Sequence, residues 1–236
     1  MRILFAASEV FPLVKTGGLA DVAGALPLAL SRLGADVRLL MPGYPAALEA
    51  ATHRRIVADL GDHLGSGPAR LIEGRLGDSK VSLLMIDCPK LYARPGNPYL
   101  GPDGLDWPDN ARRFGLLGFT AARLCADESL TGDWRPDILH GHDWQTGLAY
   151  AYLAAWGGRR PATVFSIHNI AYQGVFDPSW LKLLELPESM MNVAGLEYYG
   201  NISFLKAGCW YADKIVTVSP TYARQIQTAD QGFGLQ

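Results

Sequence analysis

Short apolar runs alternate along this chain with segments whose apolar residues recur at helical spacing. That alternation constrains the fold more than any other feature. Arg2–Ser8 is an apolar run without helical period and reads as a strand. Leu19, Val22, Ala23, Leu26, Leu30 and Leu33 then mark one face of a predicted helix over Leu19–Leu33, with Gly34 where a C-terminal cap belongs. Asp36–Met41 reads as a second strand, closed by Pro42-Gly43. A strand, a crossover helix and a strand imply a right-handed connection and parallel pairing. Arg70–Leu76 and Val81–Asp87 read as a hairpin joined through Gly77-Asp78, and the proline- and glycine-rich stretch Tyr92–Pro108 as a long surface loop, functional or mobile.

Order returns with a predicted helix over Asn110–Cys125 that places Phe114, Leu117, Ala121 and Leu124 on one side. A strand from Asp137 runs into Gly141-His142-Asp143, and Thr146–Trp156 reads as the next helix. Thr163–Ile167 is a β-branched strand ending in His168-Asn169. Ile202–Ala212 reads as a helix, Lys214–Val218 as a strand, and Pro220 opens a last helix. With no internal repeat, low-complexity run or linker, the expectation is one α/β domain with a doubly wound, mainly parallel sheet.

Composition narrows the function. The chain has 236 residues, 49% of them hydrophobic and 19% charged, which excludes a disordered tail or a charged coiled coil. A formal net charge of -2 lacks the basic stripe of a nucleic-acid-binding module. The opening apolar run breaks at Glu9, too early for a signal peptide, and no stretch approaches the roughly 20 apolar residues of a membrane span. Cys88, Cys125 and Cys209 form no paired motif and read as buried thiols of a cytoplasmic protein.

In doubly wound sheets ligands bind beyond the carboxyl ends of the strands. The loop after the first strand carries Lys15-Thr16-Gly17-Gly18 at the start of the first helix. It has neither the glycine fingerprint of a dinucleotide fold, which excludes a nicotinamide enzyme, nor the order of a Walker A loop. Two adjacent glycines let backbone approach a phosphate, a helix N-terminus favours an anion, and Lys15 adds a full charge. A solvated lysine beside a tight turn is the plainer alternative, and Asp21 could simply suit the helix dipole.

His140-Gly141-His142-Asp143-Trp144 ends a later strand. Two imidazoles on one strand face raise zinc, but no third ligand stands at suitable spacing and Gly141 suggests a turn. Hydrogen bonding to a hydroxyl-rich ligand fits this edge better, with Trp144 offering an apolar face. His168-Asn169 repeats the polar strand end, with structural histidines as the alternative at both places.

Five segments together resemble one family, the bacterial glycogen synthases and plant starch synthases. They are Lys15–Val22, Leu91–Tyr99, Trp134–Asp137, His142–Trp144 and His168–Gly174, and the likeness runs in order through Gly232-Phe233-Gly234-Leu235. The resemblance implies a retaining glucosyltransferase of the GT-B architecture, moving glucose from ADP-glucose to the non-reducing end of an α-1,4-glucan. No metal or cofactor is implied. Residues 1–236 would be the N-terminal domain, facing a C-terminal nucleotide-binding domain and inactive alone. A glycogen or maltooligosaccharide acceptor would be its other partner, with neither nucleic acid nor membrane involved.

By the same resemblance Lys15, Gly17 and Gly18 meet the donor phosphates, with Asp21 and Asn169 on the donor side. His168 stands against the transferred glucose, where its backbone carbonyl faces the charge that builds at the anomeric carbon. Asp143 joins His168 and Lys15 in the catalytic set, and Glu9, Tyr99 and Trp144 line the acceptor and sugar side. Gln145 replaces a histidine common in the family. A non-catalytic module that binds glucan or a partner is the second reading.

Overall fold

The computed structural model describes residues 1–77 and 79–236, excepting the side chains of Glu128 and Thr131. The first elements are β1 (Arg2–Ala6), α1 (Gly18–Arg32), β2 (Asp36–Pro42) and α2 (Pro45–Ala50). β3 (Thr52–Gly61), β4 (Ala69–Arg75), β5 (Ser82–Asp87) and the single turn α3 (Pro89–Tyr92) follow. Next come α4 (Asn110–Ala126), α5 (Glu128–Thr131), β6 (Ile138–His142), α6 (Leu148–Trp156) and β7 (Ala162–Ile167). The last are β8 (Val175–Phe176), α7 (Trp180–Leu183), β9 (Glu197–Tyr198), β10 (Asn201–Ser203), α8 (Phe204–Tyr211), β11 (Lys214–Thr217) and α9 (Pro220–Gln225).

Eight strands form one sheet in the order β11-β7-β6-β1-β2-β5-β4-β3, and β8, β10 and β9 form a small antiparallel sheet. From β11 to β5 every pairing is parallel; β5–β4 and β4–β3 are antiparallel. The doubly wound, mainly parallel sheet read from the alternation is therefore present, as is the strand pair β4–β5. The joining turn was placed at Gly77-Asp78, of which Asp78 lies outside the described residues.

The winding decides where a ligand fits. The chain leaves β1 toward β2 and β5, then returns to lay β6 on the other side of β1. The carboxyl ends of β1 and β6 are thus the point where strand order reverses, the place open α/β sheets leave a crevice.

Several elements differ from the sequence reading for identifiable reasons. On α1 the buried residues are Leu19, Ala20, Ala23, Gly24 and Pro27, while Leu33 is exposed. The buried face is shifted toward the small residues because the loop after β1 lies on it: a Cβ at Gly24 would stand 2.4 Å from the Phe11 carbonyl oxygen. α4 is buried nearly all round, a helix enclosed by its neighbours rather than one with a single apolar side. Residues 201–203 extend as β10 because the Ser203 hydroxyl accepts the Lys206 N–H and starts α8 only at Phe204. Gly141 is no turn but strand interior, where a Cβ would meet the Tyr150 hydroxyl at 2.6 Å and Thr146 Oγ1 at 2.7 Å.

The long loop after α3 is tied down rather than loose. Arg113, almost wholly buried, donates to the carbonyls of Leu91 and Pro98 and to Asn110 Oδ1. Arg94 forks onto both oxygens of Asp109 at 2.8 and 2.7 Å. The three thiols are free; Cys88 is buried, while Cys125 and Cys209 are partly so. No helix among the described residues is long and apolar enough to cross a membrane.

Candidate functional site

The loop between β1 and α1 is assembled around a buried acid. Glu9, 3% exposed, accepts hydrogen bonds from the Thr16 N–H, the Thr16 hydroxyl and, at 3.3 Å, the Gly17 N–H. The Tyr99 hydroxyl donates to its other oxygen at 2.7 Å and, having one proton to give, accepts from Ser8 at 2.9 Å. Glu9 and Tyr99, expected on the sugar side, are thus a clamp joining the glycine loop to the long loop. The Gly17 N–H reaches Glu9 at 3.3 Å, while Gly18 and the residues after it open α1 with N–H groups that have no helical partner.

The glycines themselves are unexplained by packing. A Cβ on Gly17 or Gly18 would meet nothing within 4 Å. Gly17 is extended at φ -145°, a conformation any residue adopts. No turn and no internal contact demands glycine here, while open space in front of a helix N-terminus suits a ligand's phosphate.

Beside them Lys15 Nζ contacts both Asp21 oxygens at 2.7 Å, with both side chains about half exposed. Asp21 therefore suits the dipole of α1 and serves as the lysine's counter-ion in one position. An exposed pair of this kind contributes only about 0–1 kcal/mol, so a phosphate can take the ammonium at small cost.

Across the crevice, β6 ends in Asp143, whose backbone takes φ +55°, a sparsely populated conformation for a non-glycine residue. Its carboxyl accepts the His168 N–H at 2.7 Å and also stabilises the Asn169 N–H, while its own N–H donates to the Ser166 carbonyl. Asp143 thereby fixes the backbone at the end of β7. Asn169 is exposed and closes an Asx turn on the Ala171 N–H. Trp144 is packed rather than presented: Phe114, Phe176 and Phe204 surround it, and Gly174, at φ +58°, has no room for a Cβ against its ring. The indole wedges between α4 and α8 and is partly buried there. Gln145 is buried, and its Oε1 has no hydrogen-bond partner among the described residues.

Period-two alternation predicts that His140 and His142 share a face, and their rings lie 4.3 Å apart. His140 bonds the Ser166 hydroxyl at 2.7 Å, and His142 Nδ1 meets His168 Nε2 at 3.0 Å. The sequence reading left His142 out of the site, although the spacing of two residues from His140 carried the signal. It also missed Thr16, which holds Glu9 within the same loop, and Ser166, whose partner His140 lies on another strand. The motif Trp134–Asp137 lies at the opposite end of β6. There Trp134 donates to Asp36 and Asp137 receives the Arg2 backbone, so its role is structural.

These groups set a pH dependence. Burial pushes His140 down to about 4, and burial with two neighbouring histidines pushes His142 well below the usual range; burial lowers His168 too. Burial raises the Asp143 carboxyl to about 7. On acidification the unfolded chain binds protons on the three histidines that the folded chain refuses, whereas the folded chain gains one on Asp143. The histidines outnumber the acid, so stability falls between about pH 6 and pH 4.5, by about 1.4 kcal/mol per pH unit for each net proton. Thermal melts across that window measure it, and a midpoint that rises on acidification would contradict the assignment.

Comparisons with known proteins bear on what such a crevice does. Residues 2–236 match the family described as the starch synthase catalytic domain. The chain is 56% identical over 238 residues to a glycogen synthase of Paramagnetospirillum magneticum, covering all of this chain and 48% of that protein. It is 52% identical over 236 residues to one of Rhodospirillum rubrum, again covering 100% and 48%. It thus spans about half the length of the curated relatives it matches. Among solved structures it superposes on the catalytic domain of Starch Synthase IV from Arabidopsis thaliana, bound to ADP and acarbose. The TM-score is 0.84 at 26% identity, covering 99% of this chain and 48% of that one.

Proposed function

The chain belongs to the starch synthase catalytic domain family, and from that premise we propose that it is the N-terminal half of a glycogen synthase. The enzyme would be cytoplasmic and of GT-B architecture, transferring glucose from ADP-glucose to the non-reducing end of an α-1,4-glucan with retention. The observation that carries the reading is the open space at Gly17 and Gly18 beside Lys15, at the carboxyl end of β1 where the strand order reverses.

As the glycosidic bond loosens, negative charge gathers on the departing diphosphate and the sugar gains oxocarbenium character. Fixed donors aimed at that charge provide the largest catalytic contribution. Lys15, released from Asp21, and the amides from Gly18 onward take the phosphates. The His168 carbonyl faces the anomeric carbon, and Asp143 is the positioning residue that holds its backbone there. The step uses no metal or cofactor.

Residues 1–236 would act as one unit against a C-terminal nucleotide-binding domain, without turnover alone. Ile215, Val216 and Val218, exposed at or just beyond the edge strand β11, support such a covering partner, since parallel strands are normally buried on both faces. Isothermal calorimetry on the chain separates this reading from a glucan-binding module. ADP-glucose binding supports the donor half-site; binding of maltooligosaccharide alone supports the module.

A further inference from the structure

We infer that His142 is a positioning residue that fixes the tautomer of His168, so that His168 presents Nδ1–H as a hydrogen-bond donor to the sugar side of the crevice. The sugar in that statement rests on the function proposed above; the tautomer does not.

One proton lies between His142 Nδ1 and His168 Nε2, 3.0 Å apart, and either ring could supply it. The far side of His142 decides. His142 Nε2 is buried and has no hydrogen-bond partner among the described residues. If His168 donated, neutral His142 would carry its proton on Nε2, a buried N–H without acceptor. Orphaned buried N–H groups are the rarest defect in folded proteins, because a whole hydrogen bond to water is lost. If His142 donates, its Nε2 keeps only a lone pair. His168 then accepts at Nε2 and must hold its own proton on Nδ1, the ring nitrogen without a bond among the described residues.

The His142 ring packs against the Phe5 ring, centroids 4.2 Å apart, and the His140 ring at 4.3 Å, and those two rings also touch, at 5.3 Å. His140 is held in turn by Ser166. The charged or titratable groups that act on this row are His140, His168 and Glu9, the last favouring protonated His168. Burial opposes a charge on all three imidazoles, so the row works as neutral rings with one assigned proton direction.

With five histidines in the chain, nitrogen-15 NMR of the imidazoles resolves each ring and its protonated nitrogen. The expected spectrum shows His168 protonated on Nδ1 and His142 on Nδ1. His142→Leu removes the donor, and His168 should shift toward the Nε2–H tautomer. His142→Asn, whose amide can donate from the same side, should retain Nδ1–H on His168. Undisturbed signals from His53 and His63 report that each variant has folded. His168 carrying its proton on Nε2 in the unaltered chain, or a pattern unchanged in His142→Leu, would overturn the inference.

A second arm measures affinity. His142→Leu should weaken ADP-glucose by about tenfold, the worth of one neutral hydrogen bond, and leave ADP unchanged. An equal loss for both ligands would overturn the sugar-facing role. If the tautomer pattern holds and ADP-glucose does not bind even the unaltered chain, the donor half-site proposed for this chain fails and the tautomer assignment stands.

Discussion

Valine in place of Gly18 should leave the fold intact and severely weaken donor binding. The backbone there is not left-handed, and a Cβ added at Gly18 meets no atom of the described residues within 4 Å, so the first carbon of a larger side chain is accommodated. Replacing glycine also reduces the freedom of the unfolded chain, which favours an unchanged or slightly raised thermal midpoint. The same side chain would stand where a phosphate must approach the free amides of α1. ADP-glucose affinity is expected to fall by about 100-fold, the loss of charge-assisted bonds at a site no longer reachable. Calorimetry beside a thermal melt reads both quantities. A melt that collapses with binding would show that the glycine serves packing instead.

Lys15→Ala carries the second large effect. In the unliganded chain the ammonium is spent on an exposed pair with Asp21, so its removal should barely alter stability. Bound to a diphosphate it makes charge-assisted hydrogen bonds worth about 1.5–3 kcal/mol, and its loss should weaken ADP-glucose by about 10- to 100-fold. Maltooligosaccharide binding should be untouched. Equal loss of both ligands would contradict the placement of the lysine on the phosphate side.

The contrast between these glycines and Gly141 or Gly174 shows what a sequence can carry. All four are the same letter, yet two face open space and two are closed in by Tyr150, Thr146 and Trp144. Nothing local in the chain separates the cases. The β1–α1–β2 unit was legible because its periods are clean and Gly34, at φ +90°, closes the helix. β3 was not, because this edge strand exposes His53, Arg54, Arg55 and Ile56 and shows no buried alternation. Charged side chains on an edge strand are also what keeps it from pairing with another chain.

The site divides the same way. His168 and Asp143 stand at strand ends and were expected in one site from the family resemblance, and the structure joins them by a single backbone hydrogen bond. The work of Glu9 was not visible, since Tyr99 lies 90 residues away and only the folded sheet brings it to the loop. The packing of Trp144 was not visible either, because an exposed indole and a packed one read alike in sequence. Its aromatic neighbours come from α4, β8 and α8.

Backbone NMR of the chain titrated with ADP-glucose tests the central claim, a donor phosphate and sugar site at the junction of β1 and β6, most directly. The expected result is a set of shifts confined to the amides of Gly18, Leu19 and Ala20, with His168 and Asn169 moving at the same ligand concentrations. Shifts gathered elsewhere, on β3 and β4 for example, with Gly18 and His168 unmoved, would contradict it.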